Sequence, residues 1–500
     1  MNPGSQDCIV MTAAKLSPPA RRRGVCLLLV LIGLVPLGLT GCAATRLRTD
    51  FTGFEKAYAE TSNREMLLNL ARLENRDPTY FFKIGEITNQ YKMAASVNGN
   101  GSYALQASNI AIGAPTGGGT TGASYENDPI FKFIPVNDET NAQLLLKPVP
   151  AETFYILYEQ GWRADQLVRL MVDRIELTRA TAQSCTVETI RNVPPAVLLK
   201  PDGTADANYL RDPDTLSSYV TFLRINAVVY WLQKHGYLLL RGSETFRPFD
   251  SKSGLDESGA NAPKAQDIVS AAQKNAVWEH VGAQWLLGEK VFSPVFTLYP
   301  LESGGPKPVS DIAKIKKEIL DDPDMKELQQ GPALDAILVS LADGFAIEGE
   351  SNKHDSCNST AGTPKISAHL VMRSLMGLMA AAAQEQVPYE TLASANPIVP
   401  SSRYLPPELQ MKEPPRFMNA VPAIERIPLL RLTGTSEDAE IEPIVQVTYR
   451  GTTYRITDKK NPDITDNQYW NRDVFRLINQ LTSQVTVDIA KFPLTEILLQ

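Results

Sequence analysis

The sequence predicts an α+β fold of mixed helices and short antiparallel sheets. Three observations lead to this prediction. Runs with apolar residues at helical spacing alternate irregularly with runs rich in aromatic and β-branched residues. The chain ends in a pattern that predicts a β-hairpin, a helix and a strand. Its 43% hydrophobic residues are typical of a globular protein.

Residues 1–41 are predicted to be a signal peptide. Arg21–Arg23 precede an uncharged stretch at 24–45 that ends in small residues. A basic region, a compact apolar region and small residues at the exit are typical of an exported leader. The alternative is a membrane span, since about 20 apolar residues can cross a bilayer. Pro36 and Gly38 weaken a helix there and favour the leader.

Leu39-Thr40-Gly41-Cys42 resembles the lipobox of bacterial lipoproteins, in which a peptidase cleaves before the cysteine and the thiol carries a diacylglycerol. The resemblance implies that Cys42 is the lipidation site. Each buried methylene contributes about 0.8 kcal/mol, so two or three acyl chains anchor a protein effectively permanently. By the same resemblance, Ala43 and Ala44 favour the outer membrane, because the aspartate of inner-membrane lipoproteins is missing. Met11 is an alternative start.

Residues 42–50 form a short tether. Fully extended, it reaches only ~30 Å. We therefore expect the folded body to lie close to the membrane.

The net charge of the chain indicates which classes of partner it is poorly suited to bind. Residues 1–41 carry a net charge of +3 and the whole chain −7, so the 459 residues from Cys42 onward carry −10. An acidic chain is a poor candidate for binding nucleic acid or an anionic headgroup surface. Its length predicts two or three domains, or one large domain with insertions.

The N-terminal α/β region is predicted at 51–246. Helical signals begin at Phe51, and Ser62 to Glu65 resembles a capping box with Ser62 as the N-cap. The helix is expected to stop near Pro78. Strands are predicted at 80–97 and 129–136, on either side of a glycine-rich loop at 98–128. No Gly-Lys-Ser/Thr follows its glycines, so we expect a hairpin tip or disordered loop rather than a phosphate loop.

Further helices are predicted at 151–160, 164–182 and 214–234. Two of these end alike, with Gly161 before Trp162 and Gly236 before Tyr237. A glycine in left-handed geometry followed by an aromatic residue is typical of a helix C-terminus.

A polar loop at 247–265 marks a boundary or an insertion before a middle α/β region at 265–386. Its predicted elements are helices at 265–280, 309–320 and 366–386, a strand at 290–300 and a strand pair at 335–349. Nine prolines lie between Pro388 and Pro428. They predict that 387–440 is extended chain running over a surface.

The C-terminal unit, 441–500, is predicted to be ββαβ. Arg450-Gly451 forms the turn of a hairpin that pairs Val447 with Tyr454, which places the apolar residues on one face. A helix follows, carrying Val474, Leu477, Ile478 and Leu481. The alternation in 485–489 predicts a last strand.

The cysteines suggest one disulfide. Cys8 and Cys26 leave with the leader, so Cys185 and Cys357 remain beside Cys42. The periplasm is oxidising, which makes Cys185 and Cys357 candidates for a bridge. Two free thiols are the equal alternative.

The sequence predicts no catalytic, metal-binding or cofactor-binding residue. His235 falls at a helix end, and His280 and His369 fall on predicted helices without a ligand-type partner at i+4. The segment 354–357, His-Asp-Ser-Cys, is read as a solvated loop because adjacent residues cannot converge on one substrate atom. No metalloprotease or nucleophile-elbow motif is present. Three tryptophans could line a ligand groove but are more typical of a core: Trp162, Trp231 and Trp285.

Three segments resemble a group of uncharacterised bacterial outer-membrane lipoproteins. They are FEKAYAETSNREMLLNLARLENRDPTYFF at 54–82, YEQGWRADQLVRLMVDRI at 158–175 and VFRLINQLTSQV at 474–485. The resemblance implies an anchored protein with a soluble α/β body and adds no site residue.

We expect a non-enzymatic scaffold or interaction protein, anchored on the periplasmic or surface face of the outer membrane. It would bind an envelope protein as its partner and would not bind nucleic acid. The alternative is a periplasmic hydrolase or small-ligand-binding lipoprotein with an unrecognised site.

Overall fold

The α+β class is confirmed by a computed structural model. It describes residues 51–99, 101–104, 120–135, 145–180, 185–199, 205–210, 212–249, 255–256, 263–273, 276–281, 284–298, 312–330, 334–348, 365–401, 405, 409–411, 413–432, 442–458 and 465–489. Contacts divide the chain into two compact units, Met1–Asn63 and Arg64–Gln500. In the described part of the chain, no helix combines the length and hydropathy needed to cross a bilayer.

The helices are α1 (51–74), α2 (Ala151–Glu159), α3 (Ala164–Met171), α4 (Pro213–Lys234), α5 (Ala265–Ala272), α6 (Ile312–Asp321), α7 (Leu334–Asp343), α8 (Leu375–Gln384), α9 (Gln386–Ala395), α10 (Phe417–Ala420) and α11 (Trp470–Ile489). The 3-10 turns are Pro323–Gln330, Ala423–Glu425 and Thr465–Asn467.

The strands are β1 (Phe82–Gly99), β2 (Gly101–Ala104), β3 (Thr120–Pro135), β4 (Val172–Ala180), β5 (Cys185–Arg191), β6 (Val197–Leu199), β7 (Ala205–Leu210), β8 (Leu238–Pro248), β9 (Leu255–Asp256), β10 (Val277–Val281), β11 (Gln284–Leu298), β12 (Phe345–Glu348), β13 (Lys365–Met372), β14 (Val445–Tyr449) and β15 (Thr452–Ile456).

The main sheet has eight strands. Six follow the order β10-β11-β12-β13-β4-β5, and β8 and β9 also pair with the long strand β11. The β12–β13 pair is parallel, and the pairs of β11 and β4 are antiparallel. The smaller sheets are β2-β1-β3, β6-β7 and the hairpin β14-β15.

Helix α4 runs through the core of the second unit, and most of its side chains are buried. Its start is capped by Asp212, whose carboxylate accepts hydrogen bonds from the N–H groups of Asp214 and Thr215, and Pro213 occupies the first helical position. Helix α3, also buried along its whole length, packs beside it.

Two predicted helix ends are confirmed. Gly161 has φ +90° and Gly236 has φ +74°. The N–H of Trp162 donates to the Leu157 carbonyl, and the N–H of Tyr237 donates to the Leu232 carbonyl. These are Schellman caps, and both aromatic rings pack against the core.

The C-terminal hairpin is confirmed in register. Tyr449 pairs with Thr452, and Val447 pairs with Tyr454. Arg450 and Gly451 both have positive φ, as a two-residue turn of the primed type requires.

Several predicted elements are wrong in type. The predicted helices at 164–182, 265–280 and 366–386 contain the strands β4, β10 and β13, and the first half of the predicted strand pair 335–349 is helix α7. His280 and His369 therefore lie on strands. Short apolar runs fit a buried strand and a buried helix equally well, and only pairing with distant strands decides between them.

The last predicted strand, at 485–489, is also wrong, because α11 continues to Ile489. No glycine or proline interrupts 470–489, and adding a turn to an existing helix costs much less than nucleating a new element.

Two predictions in the N-terminal region are also corrected. Ser62 is not an N-cap, since residues 51–74 are helical throughout. The predicted loop 98–128 is strand from Thr120 onward, paired with β1. Residues 105–119 lie outside the described residues.

In its described residues, the proline-rich segment 387–440 is not an extended surface segment. It contains α9 and α10, and its apolar residues enter the core, among them Leu392, Val399, Phe417 and Leu430. Prolines prevent a regular ladder, but the apolar residues between them gain free energy on burial. Carbonyl groups in this irregular chain must therefore find side-chain donors.

Candidate functional site

Among the described residues, a cluster of buried charged side chains surrounds Arg169. This side chain comes from α3 and is fully buried. Its Nη2 lies 2.6 Å from Oε1 of Glu385, and its Nη1 lies 3.5 Å from Oε2 of Glu425. The two carboxylates come from the α8–α9 junction and from the turn Ala423–Glu425.

Helices α4 and α11 complete the surroundings of the cluster. The Tyr219 hydroxyl donates to Oε1 of Glu385 at 2.8 Å, and Asn226 Nδ2 donates to Oε1 of Glu425 at 2.8 Å. The ring of Trp470, also buried, lies 5.6 Å from the Arg169 guanidinium carbon and 5.2 Å from that of Arg163. Five segments of the chain therefore meet here.

Burial and neighbouring charges shift the pKa values of these groups in opposite directions. Burial is the largest single effect on Arg169 and lowers its pKa, but the charges of Glu385 and Glu425 and the two neighbouring tyrosines together outweigh it, and the pKa is raised. Burial raises the pKa of Glu425 to about 8, against the opposing effect of the Arg169 charge. With Glu425 protonated, Arg169 and Glu385 balance each other inside the core.

The buried donors of the region bind the irregular chain of the proline-rich segment. Arg169 Nη1 donates to the Ile427 carbonyl at 2.7 Å, Arg224 Nη1 to the Ala420 carbonyl at 2.7 Å, and Trp470 Nε1 to the Leu429 carbonyl at 2.9 Å. Burial lowers the pKa of Arg224 to about 10, so its guanidinium remains charged at neutral pH. These side chains supply the donors that a sheet or helix would otherwise provide.

The cluster is therefore structural. A catalytic group must touch its substrate, and Arg169, Tyr219 and Glu425 have no exposed surface. The arrangement joins α3, α4 and α11 to the proline-rich segment.

The raised pKa of Glu425 predicts a pH dependence of stability. Between its ordinary value near 4.5 and about 8, the folded protein keeps a proton on Glu425 that the unfolded chain releases. The free energy of unfolding should therefore fall as the pH rises through this range, by at most about 1.4 kcal/mol per pH unit. In Glu425→Gln, which keeps an acceptor for Asn226, this contribution should vanish.

Urea unfolding at pH 5, 6, 7 and 8 measures the effect as the difference between wild type and Glu425→Gln. Titrating groups that do not interact with Glu425 are shared and cancel in the difference. A constant difference across the four pH values would contradict the prediction.

A surface groove lies beside β5, with a volume of about 600 Å³. Its lining combines β5 with the start of α4 and carries three acidic side chains, Glu188, Asp212 and Asp214, beside the basic Arg191. The hydrogen bond from the Thr215 hydroxyl lowers the pKa of Asp212 and keeps it ionised. We call this surface the β5 groove.

One edge of β5 faces the β5 groove. The strand pairs with β4 on its other side and is the last in the order of the main sheet. Ser218 of α4 accepts a hydrogen bond from the Arg191 N–H at 2.7 Å and so covers one end of the edge. Val187, further along, has 42% of its surface exposed. Strand edges of this kind can pair with another extended chain.

Of the predicted lipidation and disulfide residues, the structure describes only Cys185. Cys42, Cys357 and the 354–357 segment lie outside the described residues. The backbone of Cys185 begins β5, where it pairs with Ala180. Lipidation and the disulfide therefore stay predictions.

The histidines and tryptophans of interest lie in separate places. His235 is the C-cap of α4 and stacks on Trp231, which is buried. His280 of β10 contacts the ring of Trp285, which is half-buried on β11, and Trp162 packs against the core. Among the described residues, no three His, Cys, Asp or Glu side chains are grouped so as to hold a metal ion.

The Arg169 cluster was not predicted from the sequence. One signal was available: Arg224 lies within the apolar run TFLRINAVVYW, and Arg169 lies within QLVRLM. A charge in the middle of a long apolar run is a candidate for burial with a partner.

Comparisons with protein-family models, with curated proteins and with solved structures find no match to this chain.

Proposed function

We propose that the protein is a lipid-anchored lipoprotein of the bacterial outer membrane that acts as a non-enzymatic scaffold or interaction protein. The observation that carries this proposal is Leu39-Thr40-Gly41-Cys42 at the end of a basic and apolar leader. The acylated Cys42 would be the attachment to the membrane, and the unit from Arg64 onward would be the part that partners bind.

Cys42→Ser is expected to abolish both the incorporation of labelled palmitate and the cleavage of the leader, because serine has no thiol to acylate. Intact-mass spectrometry of the membrane fraction measures both. Cys185→Ser, at the start of β5, is the matched control and should keep the acyl mass. Unchanged processing together with unchanged membrane association in Cys42→Ser would refute the anchoring.

Two features support an interaction role. The Arg169 cluster is sealed in the core, where it stabilises the fold and cannot reach a substrate. The β5 groove, by contrast, offers a strand edge and the exposed Val187 on the surface. An edge that binds an extended chain gains backbone hydrogen bonds, and the side chains around it provide selectivity.

Purification from detergent-solubilised membranes tests the interaction role. A stoichiometric partner should be recovered with the wild type and lost from Val187→Glu. Val339→Glu, on α7, is a matched control because Val339 is also 42% exposed, and it should retain the partner. A wild-type protein recovered alone would contradict the interaction role.

The second candidate is a periplasmic small-ligand-binding protein or hydrolase. The volume of the β5 groove favours it, since ligand pockets commonly measure about 300–1,000 Å³. In that case a small molecule should raise the melting temperature of the wild type, and Asp214→Asn or Arg191→Gln in the groove should reduce the shift.

A further inference from the structure

The first described helix carries an aromatic face. Phe51, Phe54 and Tyr58 lie at positions i, i+3 and i+7 of α1, which places them within an arc of about 60°. Phe51 is 68% exposed and Tyr58 is 53% exposed, while Phe54 is half-buried. Large aromatic rings in such an arrangement indicate a surface that contacts an apolar or interfacial medium.

The opposite side of the same helix is charged. Lys56 and Glu60 lie about 140° and 180° around the axis from Phe51 at 100° per residue. Their side chains approach to 3.9 Å, and both are largely exposed. The 51–63 part of α1 therefore carries its aromatic face on one side and an ion pair on the other, with the exposed Glu55 beside the aromatic face, about 40° from Phe51.

The position of this helix in the chain restricts what can cover its aromatic face. Phe51 follows Cys42 by nine residues, a separation of at most about 30 Å in a fully extended chain. If Cys42 carries acyl chains in the bilayer, the aromatic face is held next to the headgroup region. Aromatic residues are enriched at this depth, where a ring can be buried while polar neighbours stay hydrated.

The local charge is compatible with a membrane surface, unlike that of the remaining chain. Three basic residues in 43–63 balance three acidic ones: Arg46, Arg48 and Lys56 against Asp50, Glu55 and Glu60. The net charge of −10 on the chain from Cys42 is thus carried entirely by residues beyond 63. A neutral segment is not repelled by an anionic leaflet.

We propose that the aromatic face of α1, formed by Phe51, Phe54 and Tyr58, inserts into the headgroup region of the membrane that holds the acylated Cys42. This inference rests on the proposed lipid anchoring and deepens it. The acyl chains give the attachment its strength, and the aromatic face fixes which side of the helix meets the lipid. Lys56 and Glu60 then face the aqueous phase.

Depth-dependent quenching tests the orientation in the acylated full-length protein. An environment-sensitive fluorescent amino acid is incorporated at residue 51 or, as the matched control on the opposite side, at residue 56. Both proteins are reconstituted in phosphatidylethanolamine–phosphatidylglycerol vesicles that contain headgroup nitroxide lipid. We expect quenching at residue 51 at least threefold stronger than at residue 56. Both positions are exposed, so the substitutions do not disturb a core.

The failures of the two proposals are distinguishable. Mass spectrometry first measures acylation of Cys42 in each labelled protein, and its absence would refute the anchoring together with this orientation. With acylation intact, equal quenching at the two positions overturns the aromatic-face inference alone. Negligible quenching at both positions, as a protein partner on this face would give, also overturns it.

Discussion

Replacing Arg169 with methionine is expected to lower the free energy of unfolding by about 3–5 kcal/mol. The side chain lies between Glu385 and Glu425 with no exposed surface, and it also donates to the Ile427 carbonyl. Methionine replaces the aliphatic part of arginine but does not reach the position of the guanidinium. It leaves a buried carboxylate without its ion-pair partner and a buried carbonyl without a donor, and these unpaired groups are the main cause of the loss.

Urea unfolding of the purified protein measures the loss. Arg174→Met on β4 is the matched control: Arg174 also contacts two carboxylates, those of Asp173 and Glu176, but a third of its side chain is exposed. Partly exposed pairs contribute roughly 0–1 kcal/mol, so this variant should stay near the wild type. Equal losses in the two variants would refute the importance of the Arg169 cluster.

Trp470→Ala is expected to cost about 3–5 kcal/mol, as truncation of a fully buried aromatic side chain generally does. The indole is 1% exposed, packs beside two arginines and donates to the Leu429 carbonyl at 2.9 Å. Trp470→Phe keeps a six-membered aromatic ring but removes the donor together with the rest of the indole. Its loss should be about 1–3 kcal/mol, the cost of an unsatisfied buried carbonyl.

Thermal and urea unfolding of the two variants separate packing from hydrogen bonding at this position. The neighbouring Tyr469→Ala is the control, since Tyr469 is 45% exposed and lies against Arg472. It should change the free energy of unfolding by less than about 1 kcal/mol. A loss in Tyr469→Ala as large as in Trp470→Ala would contradict the burial of the indole.

Local patterns were predicted well from the sequence. The hairpin register around Arg450 and Gly451 follows from turn geometry and alternation, and both are contained in thirteen residues. The caps at Gly161 and Gly236 are equally local. The strands β4, β10 and β13 were missed because their assignment depends on pairing across the main sheet, as where β13 lies between β12 and β4. Residue spacing within one segment does not contain that information.

The candidate sites show the same contrast between local patterns and contacts between distant segments. The lipobox at Leu39–Cys42 is a contiguous pattern and can be read directly. The partners of Arg169 lie 216 and 256 residues away in sequence, and no single segment indicates them. The proline-rich segment was misjudged because its prolines exclude regular structure but do not exclude burial. What makes its burial possible is the set of arginine, asparagine and tryptophan donors on other elements.

Trp470 packs against Arg169 but is synthesised long after it. The two residues are separated by 301 positions, so at about 5–20 residues per second the ribosome needs roughly 15–60 s to pass from one to the other. During that interval the set of segments around Arg169 is incomplete: Glu385 and Glu425 follow it by 216 and 256 residues, and Trp470 comes last. The first half of the second unit cannot complete its core while it emerges, and a chain cut short before residue 470 keeps a charged helix with no enclosure. The core of this unit is therefore expected to be completed only once α11 is present, with the earlier part kept unfolded or held by a chaperone until then.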